Sequence, residues 1–368
     1  MADETRSAFE ESEDTRQAQI ERATNAVLVA AALALVGGTL VGLVSPSYLV
    51  FLVSLAAMYG LLSLGLNVQW GYAGLINFSV AAFFGLGAYV PVLLSASGSP
   101  ITDAVPPIVG LFAAVVVTVL LALAIGIPTL SLREDYLAIA SLGLAEVVRL
   151  VFRNQENWTG GTSGVGGVPL FFEGVPVLET LPRDIGTVDL GIYTLSFQFW
   201  NGLLNALVVG SFVLVSYLVL RRVHRSPWGR VLRTIRSDED LAEALGKNAY
   251  AFRMQAFVLG SVVTMLAGVY YAYSNYFLTP DIFDPIYTFY AWIAVILGGS
   301  GSNRGALFGG VVIVAIIEGT RAFGLSASWR LFAVGLLIIL VMRFRPQGVL
   351  PPRDELIWPG ARGGGSDE

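Results

Sequence analysis

Residues 23–102 read ATNAVLVAAALALVGGTLVGLVSPSYLVFLVSLAAMYGLLSLGLNVQWGYAGLINFSVAAFFGLGAYVPVLLSASGSPIT, eighty residues between Arg22 and Asp103 without one Asp, Glu, Lys or Arg. A spanning helix needs roughly 20 apolar residues to cross a hydrocarbon core of about 30 Å, so this stretch has room for about three passes. Backbone polar groups in lipid must bond within the protein, which makes helices the element such runs adopt. The remainder of the chain agrees. Of its 368 residues 55% are hydrophobic and 13% charged, against about 25% charged in soluble domains. A large soluble domain is excluded, and the expected class is an all-α polytopic membrane protein.

Hydropathy marks ten helices, near residues 24–44, 48–67, 72–94, 104–127, 136–152, 199–220, 254–273, 286–297, 305–317 and 329–342. Before them, residues 1–22 carry seven acids and three arginines. That is the wrong sign for a cleaved signal peptide, and reads as a solvated, mostly disordered tail. Orientation follows from the basic residues, because Lys and Arg in short loops are retained on the cytoplasmic side. The loop 221–253 holds eight basic residues against Asp238, Glu239, Asp240 and Glu243, a net +4 that places it inside. Loop 154–198 has Arg183 alone against five acids, a net −4 that places it outside. Counting from these anchors gives ten spans in a permease domain of residues 23–345, with the tails 1–22 and 346–368 both cytoplasmic. The chain has no cysteine and one histidine, His224. Thiolate metal sites, disulfides and cysteine nucleophiles are thereby excluded.

Two segments carry chemistry. Residues 65–79, GLNVQWGYAGLINFS, set several glycines and the amides of Asn67, Gln69 and Asn77 at membrane depth, with Tyr72 and Ser79 among them. One reading is tight packing through small residues with amides bonding across helices. The other is a broken helix lining a pathway, since irregular backbone at that depth persists only inside protein or beside water. In the basic loop, residues 226–236 lead into Ser237-Asp238-Glu239-Asp240-Leu241-Ala242-Glu243-Ala244-Leu245-Gly246. Ser237 can cap a helix there and Gly246 can stop it. The result is a short exposed helix between two spans, suited to docking on another protein.

Five blocks, in order, resemble the LivM-type permeases of branched-chain amino acid ABC importers: 65–89; 132–149, LREDYLAIASLGLAEVVR; 159–165, TGGTSGV; 226–246 with Ala256-Phe257; and 296–302, ILGGSGS, followed by Gly305. The resemblance implies the ABC importer permease fold and a place in the plasma membrane. It also implies four kinds of partner: a second permease subunit, two cytoplasmic ABC ATPases, an extracellular substrate-binding protein and the lipid bilayer. No nucleic acid and no cofactor is implied. Gly229, Arg233, Asp238, Glu239, Glu243, Ala244 and Gly246 would belong to the segment that couples to an ATPase. Asn67, Gln69, Tyr72, Asn77, Ser79, Glu146, Thr159, Gly160 and Gly161 are the candidate pathway residues. The residues 84–87, FGLG, are bulkier than the small-residue run common in the family.

The chain is not expected to be an enzyme. A phosphate-binding Walker loop needs G-x-x-x-x-G-K-[ST], whereas Gly246-Lys247 is followed by Asn248 and Leu241 stands where the first glycine belongs. Energy must come from partner ATPases or from an ion gradient. A secondary transporter would need an intramembrane carboxylate, and Glu146 is its candidate. Glu146 lies one turn from Arg149, however, and Glu318 one turn from Arg321, spacing that equally makes an ion pair at a helix end. Branched-chain amino acids are the leading substrates, with other amino acids, urea and short amides as alternatives.

Overall fold

The computed structural model describes the backbone of residues 2–132, 134–345 and 347–352. Among these residues the helices are α1 (Ala2–Leu40), α2 (Pro46–Leu66), α3 (Val80–Ser95), α4 (Pro107–Thr129), α5 (Glu134–Asn154), α6 (Glu156–Thr159), α7 (Leu181–Asp184) and α8 (Phe197–Arg225). They continue as α9 (Pro227–Ser237), α10 (Glu239–Ala244), α11 (Ala249–Ser274), α12 (Ile286–Gly298), α13 (Asn303–Ala322) and α14 (Ala327–Phe344). Each hydropathy segment falls on a helix. Among the described residues six helices are long and apolar enough to cross a membrane: residues 22–40 of α1, α2 with the turn after it, α4, α8, α11 and α13. The apolar helices α3 and α12 are shorter. The chain is a polytopic helical membrane protein.

Helix ends depart from the hydropathy limits where caps act. Pro107 opens α4 at its first turn, where its missing N–H costs no bond. Asn248 accepts from the Ala251 N–H at 3.0 Å and starts α11 five residues ahead of the apolar run. Two larger differences concern the first three segments. The acidic residues after Met1, expected to be disordered, are helical and continuous with α1. Their sequence is rich in Ala, Glu, Gln and Arg, which favour helix. The third segment, expected to be helical from residue 72, has no helical backbone over residues 74–79. There hydropathy alone could not register the polar cross-links that replace helical bonds. Residues 353–368 of the expected C-terminal tail lie outside the described residues.

Small residues let the inner helices touch backbone to backbone. A Cβ on Gly87 of α3 would meet the Met265 carbonyl of α11, and one on Gly268 of α11 would meet the Phe84 carbonyl of α3. The α2–α13 seam is built the same way at Gly60 and Gly310, and the α12–α13 seam at Ala294 and Gly309. Around this centre lie α4 and α8, mostly exposed, and α1, whose apolar window buries nothing within the chain.

The connections gather at two opposite ends. At one, β1 (Val165–Gly166) pairs antiparallel with β4 (Phe277–Leu278), Gly98 N–H donates to Gly166 O at 3.2 Å, and the Tyr193 hydroxyl donates to Val44 O at 2.6 Å. A small hairpin of β2 (Val188–Asp189) and β3 (Thr194–Leu195) belongs to the same acidic loop. At the other end the basic loop meets residue 71, residue 127 and the turn 299–302. Residues 349 and 350 also return there, bonding Leu297 O and Gly298 O at 2.9 and 2.8 Å.

Candidate functional site

The helix that begins as α2 changes pitch at its end: residues Asn67–Tyr72 form a π-helical turn, and residues 74–79 then run without helical bonds before α3 begins. Side chains replace the lost bonds. Gln69 donates through Nε2 to Phe257 O at 2.9 Å and to Ser261 Oγ at 3.2 Å on α11, and its Oε1 accepts from Asn77 Nδ2 at 2.7 Å. Asn77 Oδ1 accepts from the N–H and hydroxyl of Ser79, at 2.8 and 2.6 Å. The Phe78 N–H donates to Ser141 Oγ on α5, and the Ala81 N–H to Thr288 Oγ1 on α12, both at 2.9 Å. Asn67 accepts from the Gly301 N–H at 2.7 Å, and the Tyr72 hydroxyl donates to Asn303 Oδ1. Asn67, Gln69, Tyr72, Asn77 and Ser79 are therefore a buried polar cluster cross-linked as two networks, Gln69 with Asn77 and Ser79, and Asn67 with Tyr72 through Asn303. The amides bond across helices as the packing reading expects, and the helix is broken as the other reading expects, with its polar side chains buried.

The basic loop folds into α9 and α10. Leu232 and Ile235 of α9 are buried, Ile235 against Ala242 and Ala249. Arg233 donates to the His224 carbonyl and to its Nε2, both at 3.0 Å. A Cβ at Gly229 would collide with His224 O and Val223 O, so this glycine lets the chain turn from α8 into α9. The cap of α10 is Asp238, accepting from the Leu241 N–H at 2.9 Å. Ser237, expected to serve, instead bonds back to Arg233 O and Thr234 O within α9. Gly246 does end the helix, with φ +76° and the Lys247 N–H returning to Ala242 O at 3.0 Å, the left-handed stop that favours glycine. Glu239 is held by Arg253 at 2.7 Å. Glu243, Ala244, Leu241 and Leu245 face outward, the two leucines 50% and 66% exposed.

Arg236, which sequence reasoning did not single out, joins the two segments. Its guanidinium donates to Gly71 O at the end of the π turn and to Ser300 Oγ at 3.3 Å. Desolvation there lowers its pKa from the ordinary value. Arg236 thus ties α9 to the helix break and to the α12–α13 turn.

The other candidates stand apart from this cluster. Glu146 takes both oxygens to Arg149 at 3.2 Å, and Arg149 also approaches Asp284 at 3.9 Å. With its side chain 40% exposed, Glu146 has the geometry of a surface ion pair. Glu318 is likewise paired, with Arg321 at 2.5 Å and the Tyr48 hydroxyl at 3.2 Å. Thr159 is buried and bonds Phe152 O at 2.7 Å, and Gly160 and Gly161 turn at φ +77° and +52°. These three shape the turn that seats β1 on β4. No group of three or more His, Asp or Glu capable of holding a metal occurs among the described residues.

A cavity of about 520 Å³ opens elsewhere, toward the acidic-loop end, between α2, α11, α12, α13 and α14. None of the expected pathway residues lines it. Its walls include Met58, Tyr59, Tyr271, Tyr287, Tyr290 and Arg330, drawn from four helices. In sequence these tyrosines look like any core aromatic.

The fold is that of a polytopic helical membrane protein, with one helix broken inside the bundle and a short exposed helix, α10, between two long ones. Residues 48–342 match the family described as branched-chain amino acid transport system, permease component. The chain is 30% identical over 302 residues to the high-affinity branched-chain amino acid transport system permease protein LivM of Escherichia coli (strain K12), covering 81% of this chain and 69% of that protein. It is 27% identical over 338 residues to the probable branched-chain amino acid transport permease protein LivM of Methanocaldococcus jannaschii, covering 80% and 91%. It is 26% identical to the permease protein BraD of Pseudomonas aeruginosa, covering 81% and 92%. No solved structure matches the chain. The chain belongs to the branched-chain amino acid transport permease family.

Proposed function

We propose that this ABC importer permease subunit moves branched-chain amino acids into the cell, using ATP hydrolysed by two cytoplasmic ATPases, beside a second permease and beneath an extracellular binding protein. The observation that carries the coupling half of this reading is the connected path from the exposed leucines of α10, through α9 and Arg236, to the broken helix at Gly71. An ATPase that grips Leu241 and Leu245 pulls on a buried cluster in which Asn67, Gln69, Tyr72, Asn77 and Ser79 exchange partners as the pathway opens. The substrate class is that of the relatives, which are branched-chain amino acid transport permeases, and the family match supports it.

The basic loop faces the cytoplasm in this arrangement, and ten helices cross the membrane with both termini inside. The gathering of basic connections at one end and acidic ones at the other supports that orientation. Single cysteines at Ser163 and Ser237, both exposed, test it against the cysteine-free background: the first labels in intact cells and the second only after permeabilisation. For the energy source, leucine uptake into vesicles holding the complete importer requires internal ATP and persists when a protonophore collapses the gradient. Uptake by this chain alone, driven by a proton or sodium gradient, refutes the proposal.

A further inference from the structure

We propose that the cavity between α2, α12 and α14 is a transient binding site for the substrate amino acid inside the permease, with Arg330 holding its carboxylate; this rests on the amino acid reading above. The volume of about 520 Å³ lies within the range of roughly 300–1,000 Å³ that small-molecule sites occupy. Its lining matches an apolar amino acid in three parts. Leu55, Met58, Ile317 and Leu331 offer an aliphatic surface, Tyr59, Tyr287 and Tyr290 offer aromatic rings beside which an ammonium can sit, and Arg330 offers a cation. Tyrosine faces attract cations, and a guanidinium matches a carboxylate in a forked pair.

Arg330 is the member that calls for a ligand. Its neighbour on the wall, Arg321, is already neutralised by Glu318. The Nε of Arg330 is buried without a hydrogen-bond partner, and among the described residues no ion pair involves its side chain. A basic group in a membrane-spanning segment is costly unless it is paired or faces a polar cavity. Arg330 sits in the first turn of α14 at the acidic-loop end. Two anions could reach it there, the substrate carboxylate or a lipid phosphate. The cavity's tyrosines favour the former, because an anionic lipid such as phosphatidylglycerol brings no ammonium for their rings to meet.

The test uses the purified importer with both permeases and both ATPases, without the external binding protein, in nanodiscs of phosphatidylcholine with and without phosphatidylglycerol. Labelled leucine is bound in competition with leucine or leucinamide, which lacks the carboxylate charge. In the wild type leucine competes and leucinamide does not. Arg330→Gln weakens leucine binding about tenfold or more, the scale of one lost charge-assisted bond, in both lipids. Arg330→Lys keeps part of the affinity, and Met58→Trp, which fills the cavity from the opposite wall, lowers it with Arg330 intact. Co-purification of the ATPases verifies assembly of each variant. Wild-type leucine affinity in Arg330→Gln and Met58→Trp overturns the site, and so does a defect that appears only with phosphatidylglycerol. Failure of the wild-type importer to accumulate leucine in ATP-loaded vesicles instead refutes the substrate assignment.

Discussion

Replacing Leu241 and Leu245 together by alanine should weaken ATPase binding by roughly tenfold to a hundredfold while leaving the permease folded. Full burial of a leucine side chain contributes about 1.5–3 kcal/mol. The two residues are 50% and 66% exposed, so covering the remainder is worth roughly 2–3 kcal/mol in all. Alanine retains the Cβ and returns about two-thirds of that in lost affinity, near the tenfold expected for 1.4 kcal/mol, and more where the dock is dry. Helix loss is not a rival explanation, because alanine is the better helix former and Asp238 and Gly246 still cap and stop the segment. The assay titrates labelled ATPase subunits against the permease pair in nanodiscs. Glu146→Gln, at the opposite end of the bundle, is the matched control and binds as wild type. Unchanged affinity in the double variant would show that α10 is a plain connector, and would remove the structural support for ATP coupling through this loop.

Arg236→Ala should keep the ATPases bound but lose most leucine uptake relative to ATP hydrolysed, measured in proteoliposomes, and Arg236→Lys should not restore it because one ammonium is a poor substitute for a fork spanning Gly71 O and Ser300 Oγ. Gln69→Leu removes the acceptor of Asn77 Nδ2 and the donor to Phe257 O inside the core, a cost of about 1–3 kcal/mol that should appear as a lower melting temperature of the detergent-purified permease. Gly268→Leu forces α3 and α11 apart at their closest approach and should abolish recovery of folded permease from membranes, whereas the same change at Gly319, which has open space around it, should be tolerated.

How far each feature could be read from the chain depends on the range of the interaction that makes it. Helix positions follow from uninterrupted apolar runs, a property of consecutive residues, and each of the ten segments overlaps a helix, the third mainly from Val80 onward. Their limits need caps, and the choice between Ser237 and Asp238 turns on one residue of register that two equally good capping side chains leave open. The broken helix was legible as a dilemma, packing or break, because Asn67, Gln69 and Asn77 announce polar bonding at depth without naming partners. Those partners, Phe257, Ser261 and Asn303, lie some 180 or more positions away. Leu241 and Leu245 did carry a local signal, an i, i+4 apolar pair on an otherwise charged helix, but an isolated pair reads equally as a buried seam. The cavity had no local signal, since Tyr59, Tyr287 and Arg330 meet only when three separate helices pack.

The double grip of Arg236 bears on how such transporters can be re-wired. A designer wishing to give this permease the ATPases of another importer would exchange the residues around α10, treating them as a plug-in module. That module does not end where the helix ends. Its mechanical boundary lies at a backbone carbonyl in the π turn and at a hydroxyl between α12 and α13. On the proposed docking role of α10, a graft would have to carry α9 with it and meet Gly71 and Ser300 in the host, or it would recruit the foreign motor without an axle to turn.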